Sequence, residues 1–241
     1  MPIRELLMLA VTRMQGGVCI AGMTTEPDPV TGLRWVRPVR EFSHILLGDI
    51  STADGTVLQP FDVVEFNLLQ PHAIPPHCED WTTDFVHDRP RIVRRLEGDR
   101  RTRFLHTYLD TAPRQVLDSQ QRSLCLIKPE WTKGCFRLDG YSGRFDARIS
   151  FGLERRSYVG SYAKGGLSVT DLKWRALGRT YLPANGGWAE FDAGDLEARL
   201  GIKEILLAVG LTRTYQGTCW PIVVGVHTVP DYNAAIDYDN V

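Results

Sequence analysis

The sequence predicts a mainly β protein made of two related units, and three observations carry that expectation. Short apolar runs with β-branched residues alternate with Gly and Pro along most of the 241 residues. Helical spacing is confined to a few short stretches. A matching strand–loop–strand motif stands near each end, which points to two copies of one β-rich unit.

The elements follow in chain order. Leu6–Val11 and Val18–Met23 read as a strand pair, and Leu33–Val39 as a strand whose end Pro38 confines to an edge. Phe61–Leu69 is a strand introduced by Pro60 and closed by Pro71, and the proline-rich stretch Gln70–Asp88 reads mostly as loop. Arg100–Leu109 and Pro113–Gln121 have helical spacing, with Asp99 as a cap and Pro113 in a first-turn position. Ser123–Lys128, Cys135–Asp139 and Arg144–Leu153 are strands split by Gly134, Gly140 and Gly143. Ser168–Thr170 and Lys173–Leu182 continue the β pattern, and Asp192–Leu200 is a capped helix ended by Gly201. Ile205–Leu211 and Trp220–Val229 close the chain as a second strand pair.

The repeat is specific in its spacing. Thr12-Arg13, three residues, Gly17, one residue and Cys19 match Thr212-Arg213, three residues, Gly217, one residue and Cys219. Each motif reads as a hairpin whose glycine supplies positive φ, with the Arg pointing into or over the loop. Internal duplication explains the match; the alternative is two unrelated hairpins that share turn chemistry.

The formal net charge of -1 hides a segregation of charge. Residues 1–88 carry 5 basic and 12 acidic groups, residues 89–179 carry 20 and 9, and residues 180–241 carry 3 and 8. The cationic middle attracts polyanions in one reading, and in the other is a basic face paired with acidic neighbours. Arg89–Arg103 holds seven Arg, which read either as a phosphate-tracking surface or as a solvated face laced with ion pairs. Arg outnumbers Lys by 23 to 5, a bias that suits bidentate phosphate contacts and also follows from GC-rich codons.

Five Cys without a CxxC pair exclude a disulfide framework. The apolar run Leu6–Val11 is too short for a signal-peptide core, and no stretch approaches a membrane span, so a reduced, cytoplasmic protein is expected. His72, His77, Cys78 and His87 lack metal-ligand spacing, so no metal and no cofactor are expected. Gly160–Gly166 lacks the Gly-Lys-Ser/Thr ending of a phosphate loop. No catalytic constellation emerges, and the chain reads more readily as a binder than as an enzyme.

Arg34-Trp35-Val36-Arg37 places Trp35 and Arg37 on one strand face, and Lys173-Trp174-Arg175 sets an indole between two cations. Aromatics flanked by Arg on an exposed strand form a stacking platform for splayed bases. Each indole alone is at least as well read as a core residue, because Trp is highly buried on average. Arg13 and Arg213, at matching hairpin positions, are the stronger candidates, with Thr12, Thr212 and Tyr215 beside them.

Thr12-Arg13 and Gly17-Val18-Cys19-Ile20-Ala21-Gly22, followed by Trp35-Val36-Arg37-Pro38, resemble the opening of the dual OB-containing domain family. Leu211-Thr212-Arg213 and Gly217-Thr218-Cys219-Trp220 resemble its end. The resemblance implies two tandem OB-like β-barrels with a few short helices, a nucleic-acid-binding role and a setting in prokaryotic defence systems. The barrels are expected at residues 1–110 and 111–241. The expected partner is a nucleic acid or nucleotide, with no membrane. Two other functions stay open: a nucleic-acid-processing enzyme with its site between the units, to which His44 and His106 could contribute, and a protein-binding adaptor.

Overall fold

A computed structural model describes residues 3–160 and 165–238. The chain is mostly strand, and its residues cluster into two compact units. Unit 1 takes residues 1–103 and 112–125, and unit 2 takes residues 104–111 and 126–241. The chain therefore crosses between units three times, and the single boundary expected at residues 110 and 111 lies within the crossing segment. Glu79 gives the physical reason. Its fully buried carboxylate accepts hydrogen bonds from Ser123 N (2.8 Å), Ser123 Oγ (2.8 Å) and Leu124 N (3.0 Å), which ties residues 123 and 124 to unit 1.

Unit 1 is built on β1 (Ile3–Met14), β2 (Gly17–Met23), β3 (Trp35–Val39), β4 (Asp62–Pro71), β5 (Asp80–Thr83) and β6 (Arg91–Arg95). The pairing runs β1-β2-β3-β5-β4 and returns from β4 to β1, which closes a ring of five strands. Only the pairs β1–β2, β2–β3, β4–β5 and β1–β4 are antiparallel within the ring, and β3–β5 is parallel. A closed five-stranded Greek-key barrel of this kind is the OB fold. β1 serves two neighbours, with Ile3–Leu7 on β4 and Leu7–Met14 on β2; the irregularity between Met8 and Ala10 bends the strand between them. Leu6, Met8, Ile20, Val36, Val64 and Leu68 fill the interior with no exposed surface.

One expectation changes here. β5 lies inside the stretch read as loop, where Trp81-Thr82-Thr83 is a strand hidden among prolines. Pro38 sits at an end of β3 that is open on one side. Arg37 N donates across to Glu79 O, so the Pro38 nitrogen turns to the β2 side, where pairing has ended at Val36.

After β6 come α1 (Gly98–Thr107), α2 (Arg114–Leu117) and β7 (Leu124–Ile127). Unit 2 continues with β8 (Trp131–Leu138), β9 (Phe145–Leu153), β10 (Arg156–Tyr158), β11 (Leu167–Ser168), α3 (Leu172–Thr180), β12 (Gly187–Asp192), α4 (Ala193–Leu200), β13 (Glu204–Leu211) and β14 (Pro221–Val229). One sheet has the order β10-β9-β8-β12 with β11 on β9, and the other has the order β14-β13-β7. A parallel bridge from Val169 to Val223 joins them. α4 has the expected limits: Asp192 and Asp195 form a reciprocal capping box, and Gly201 ends it at φ 67°.

The segment Lys173–Leu182, expected as a strand, is the helix α3. Asp171 caps it by accepting from Trp174 N at 3.1 Å, and its apolar residues fall on one helical face. That face covers the inner side of the β8–β9 sheet, where Trp174 and Phe136 stand 5.7 Å apart between ring centroids. None of the described helices is long and apolar enough to cross a membrane.

Candidate functional site

Four of the residues expected to form a stacking surface are interior. Trp35 is 3% exposed and Trp174 0%. Arg37 is buried in an ion pair with Asp80 at 2.6 Å. Arg175 is buried on α3, where it donates to Phe145 O at 3.0 Å and lies over the Phe145 ring. These side chains are buried in the core and present no face to a base. The platform expected from Trp35, Arg37, Trp174 and Arg175 is therefore replaced by two core anchors.

The repeated hairpins exist, with different registers. In the first, β1 runs through Met14, Thr12 faces Cys19, and the turn is Gln15-Gly16 with Gly16 at φ 81°. In the second, Tyr215 faces Thr218 and the turn is Gln216-Gly217, with both residues at positive φ. The turn thus shifts by one motif position. The repeated glycine does different work: Gly217 turns the chain, whereas a Cβ on Gly17 would strike the backbone of Ile45. Thr12 Oγ1 donates to Cys19 O at 3.2 Å, and Thr212 Oγ1 accepts from Trp220 N at 2.9 Å, so both threonines brace their hairpins. Arg13, Arg213 and Tyr215 are exposed near the tips.

The start of the cationic middle is spent on contacts inside unit 1. β6 lays Arg91, Arg94 and Arg95 against Glu65, Glu5 and Asp62 respectively. Arg101 is buried with its guanidinium over the Phe61 ring. Four of the seven Arg in this stretch are thereby committed, and the ion-pair reading holds for Arg91, Arg94 and Arg95. Among the described residues no group of three or more His, Cys, Asp and Glu is placed to hold a metal ion.

The outward face of β9–β8–β12 in unit 2 carries a different arrangement. Side chains alternate along β8, so Thr132, Gly134 and Phe136 face the core while Trp131, Lys133, Cys135 and Arg137 face outward. Register adds neighbours to each row. Trp188 of β12 and Asp146 of β9 flank Arg137, and Glu190 and Arg148 flank Cys135. Trp131 is 38% exposed and Trp188 is 53% exposed, about 20 Å apart at the strand rise, because they stand six residues apart along β8 through the Trp188–Arg137 pairing. The Trp131 indole rests on Gly152, where a Cβ would collide with it.

Two grooves open on this face. One, of about 480 Å³, runs between Trp131 and Trp188 and is floored by Cys135, with Lys133 and Glu190 on its walls. The other, of about 340 Å³, is lined by Arg137, Arg144 and Arg148 together with Trp188 and Cys135. Burial pushes the Cys135 thiol up to about 11, helped by Asp146 and Glu190, so it is a protonated, unreactive floor. Arg148 Nε bonds Asp146 at 2.8 Å. Among the described residues, the guanidinium groups of Arg137 and Arg144 make no ion pair or hydrogen bond. Asp139 accepts from Ser142 N and Oγ and from Tyr141 N, which lowers its carboxyl and commits it to the hairpin turn.

The sequence pattern did not single out this face. The strand parity of Trp131, Lys133 and Arg137 was its one local signal. A family model described as the dual OB-containing domain matches residues 4–226. No curated protein and no solved structure matches the chain.

Proposed function

The chain belongs to the dual OB-containing domain family, and on that premise we propose that it is a nucleic-acid-binding module. The observation that carries this reading is the pair of exposed indoles, Trp131 and Trp188, on an open sheet face bearing Lys133, Arg137 and Arg148. Indoles on such a face stack bases of any sequence, and the cations beside them track phosphates. Arg13, Arg213 and Tyr215, exposed near their hairpin tips, add contacts of the same chemistry on each unit. A role in prokaryotic defence belongs to this reading through the family resemblance alone, and a cytoplasmic location through the cysteine pattern of the sequence.

Fluorescence anisotropy with labelled single-stranded and duplex DNA and RNA at two salt concentrations tests it. Several phosphate contacts make affinity fall by orders of magnitude between about 50 and 200 mM salt. Arg13→Ala and Arg213→Ala should each reduce the salt slope by about 1. Absence of binding to every probe at low salt overturns the proposal.

A further inference from the structure

The two grooves of unit 2 share Trp188 and Cys135 and differ in chemistry on either side of them. The side toward Trp131 is aromatic and carries the Lys133 ammonium and the carboxylates of Glu190, Asp192 and Asp195, the last two engaged in the α4 capping box. The side toward the β8–β9 hairpin holds three guanidinium groups, of Arg137, Arg144 and Arg148, with Asp146 paired to Arg148 and Asp139 bound in the hairpin turn. A surface with an aromatic, hydrogen-bonding half and a cationic half fits one nucleotide unit, with the base on the first and the phosphate on the second.

The carboxylate sets the base. Trp188 Nε1 donates to Glu190 Oε1 at 3.1 Å, which holds the carboxylate beside the indole on the groove wall. A carboxylate accepts; it has no donor to offer. An exocyclic amine, as on cytosine N4, satisfies it. Thymine and uracil have no exocyclic amine; their one donor, N3–H, lies between two carbonyl oxygens that repel the carboxylate. Duplex excludes the bases from such a groove, so the ligand is a single strand.

Resting on the nucleic-acid-binding reading above, we propose that the Trp131–Trp188 face is a single-strand site that selects amine-bearing bases over thymine and uracil. Trp188 stacks the base, Glu190 accepts from its amine, and Arg137 and Arg144 hold the phosphate.

The test uses the full chain and labelled oligo-dC, oligo-dA and oligo-dT at low salt, with circular dichroism to check the fold of each variant. The expected result is binding of oligo-dC and oligo-dA at least about tenfold tighter than oligo-dT, with Glu190→Gln narrowing that ratio to below about threefold, since one good base contact is worth that much discrimination. Trp188→Ala should weaken oligo-dC by about 5- to 150-fold, the usual value of one stacked base. Arg137→Ala and Arg144→Ala should each lower the salt slope by about 1 without changing the base ratio. Equal affinity for all three strands, or a preference that survives Glu190→Gln, overturns base selection by this groove. Binding that is intact in Trp188→Ala overturns the site while leaving the nucleic-acid reading in place. No binding of any strand by the wild-type chain overturns that reading and this inference together.

Discussion

Arg37 and Asp80 stand opposite each other on the parallel pair β3–β5, with Arg37 Nε 2.6 Å from Asp80 Oδ1 and the Asp80 side chain fully buried. The pair lies where the barrel ring closes through its one parallel ladder. Burial opposes the Arg37 charge, and Asp80, with smaller help from Cys19 and Glu79, overcomes it and holds the guanidinium above its ordinary range. Removing one partner leaves a buried charge unpaired, which costs far more than the intact pair contributes. Asp80→Ala should therefore destabilise unit 1 by about 3–5 kcal/mol. The double variant Arg37→Met with Asp80→Leu should recover most of that loss. Urea unfolding combined with hydrogen exchange in β3 and β5 measures both.

Glu79 holds a chain segment, where Asp80 holds a barrel seam. Its carboxylate accepts three hydrogen bonds from Ser123 and Leu124 with no exposed surface. Glu79→Gln keeps the shape but turns an amide N–H₂ toward donors. The expected cost is about 1–3 kcal/mol, the penalty for a buried donor left without an acceptor. Faster amide exchange at Ser123 and Leu124, with β1 and β2 unchanged, would be the local signature. Uniform loss of protection across unit 1 would contradict the clasp.

The parts legible in the sequence were those set by local chemistry. The apolar runs of β1, β4, β13 and β14 declare themselves, and α4 is written by its caps, Asp192 and Gly201. α3 looks like a strand in the sequence because Lys173-Trp174-Arg175 alternates over three residues, too short a window to separate a period of two from one of 3.6; the Asp171 cap is the better signal. β5 was hidden by Pro71, Pro75 and Pro76, although Trp81-Thr82-Thr83 has strand composition. The charge blocks misled for a different reason. Arg94 meets Glu5 across 89 residues of sequence, a pairing that a sum along the chain does not see. The exposed face of unit 2 depends likewise on the register of β12 on β8, which puts Trp188 beside Arg137.

Asp171 makes unit 2 sensitive to acid in an unusual direction. Its carboxylate is completely buried, and burial pushes it up to about 6 against the N–H groups of Val226 and Trp174, which hydrogen-bond its two oxygens at 2.7 and 3.1 Å. The native state therefore holds this proton to a higher pH than the unfolded chain, whose carboxyl titrates near 3.8. Raising the pH through the window from about 4 to 6 thus costs stability, by about 3 kcal/mol at one pKa unit per 1.4 kcal/mol. Asp171→Asn removes the titration. It also sets an amide N–H₂ against Val226 N–H, at a cost of about 1–3 kcal/mol. The variant should be weaker than wild type at pH 4 and draw level with it by pH 7. Parallel stability curves for the two proteins from pH 4 to 7 would contradict this.

Gly178 sits inside α3 on the side facing the β8–β9 sheet, against Phe136. In an exposed helix, replacing Gly by Ala stabilises by about 1 kcal/mol through helix propensity. Here the added Cβ would land within the Phe136 ring. That ring has little room to yield, because Phe191, Trp174, Tyr181 and Phe145 surround it at centroid distances of 4.9, 5.7, 5.7 and 6.2 Å. Overpacking of this kind costs about 1–3 kcal/mol, enough to outweigh the propensity gain. Gly178→Ala is expected to lower the stability of unit 2, and Phe136→Leu in the same chain should restore part of it by vacating the space. A double-mutant cycle from thermal unfolding reads the coupling directly. If the two changes simply add, α3 does not approach the sheet as closely as Gly178 allows.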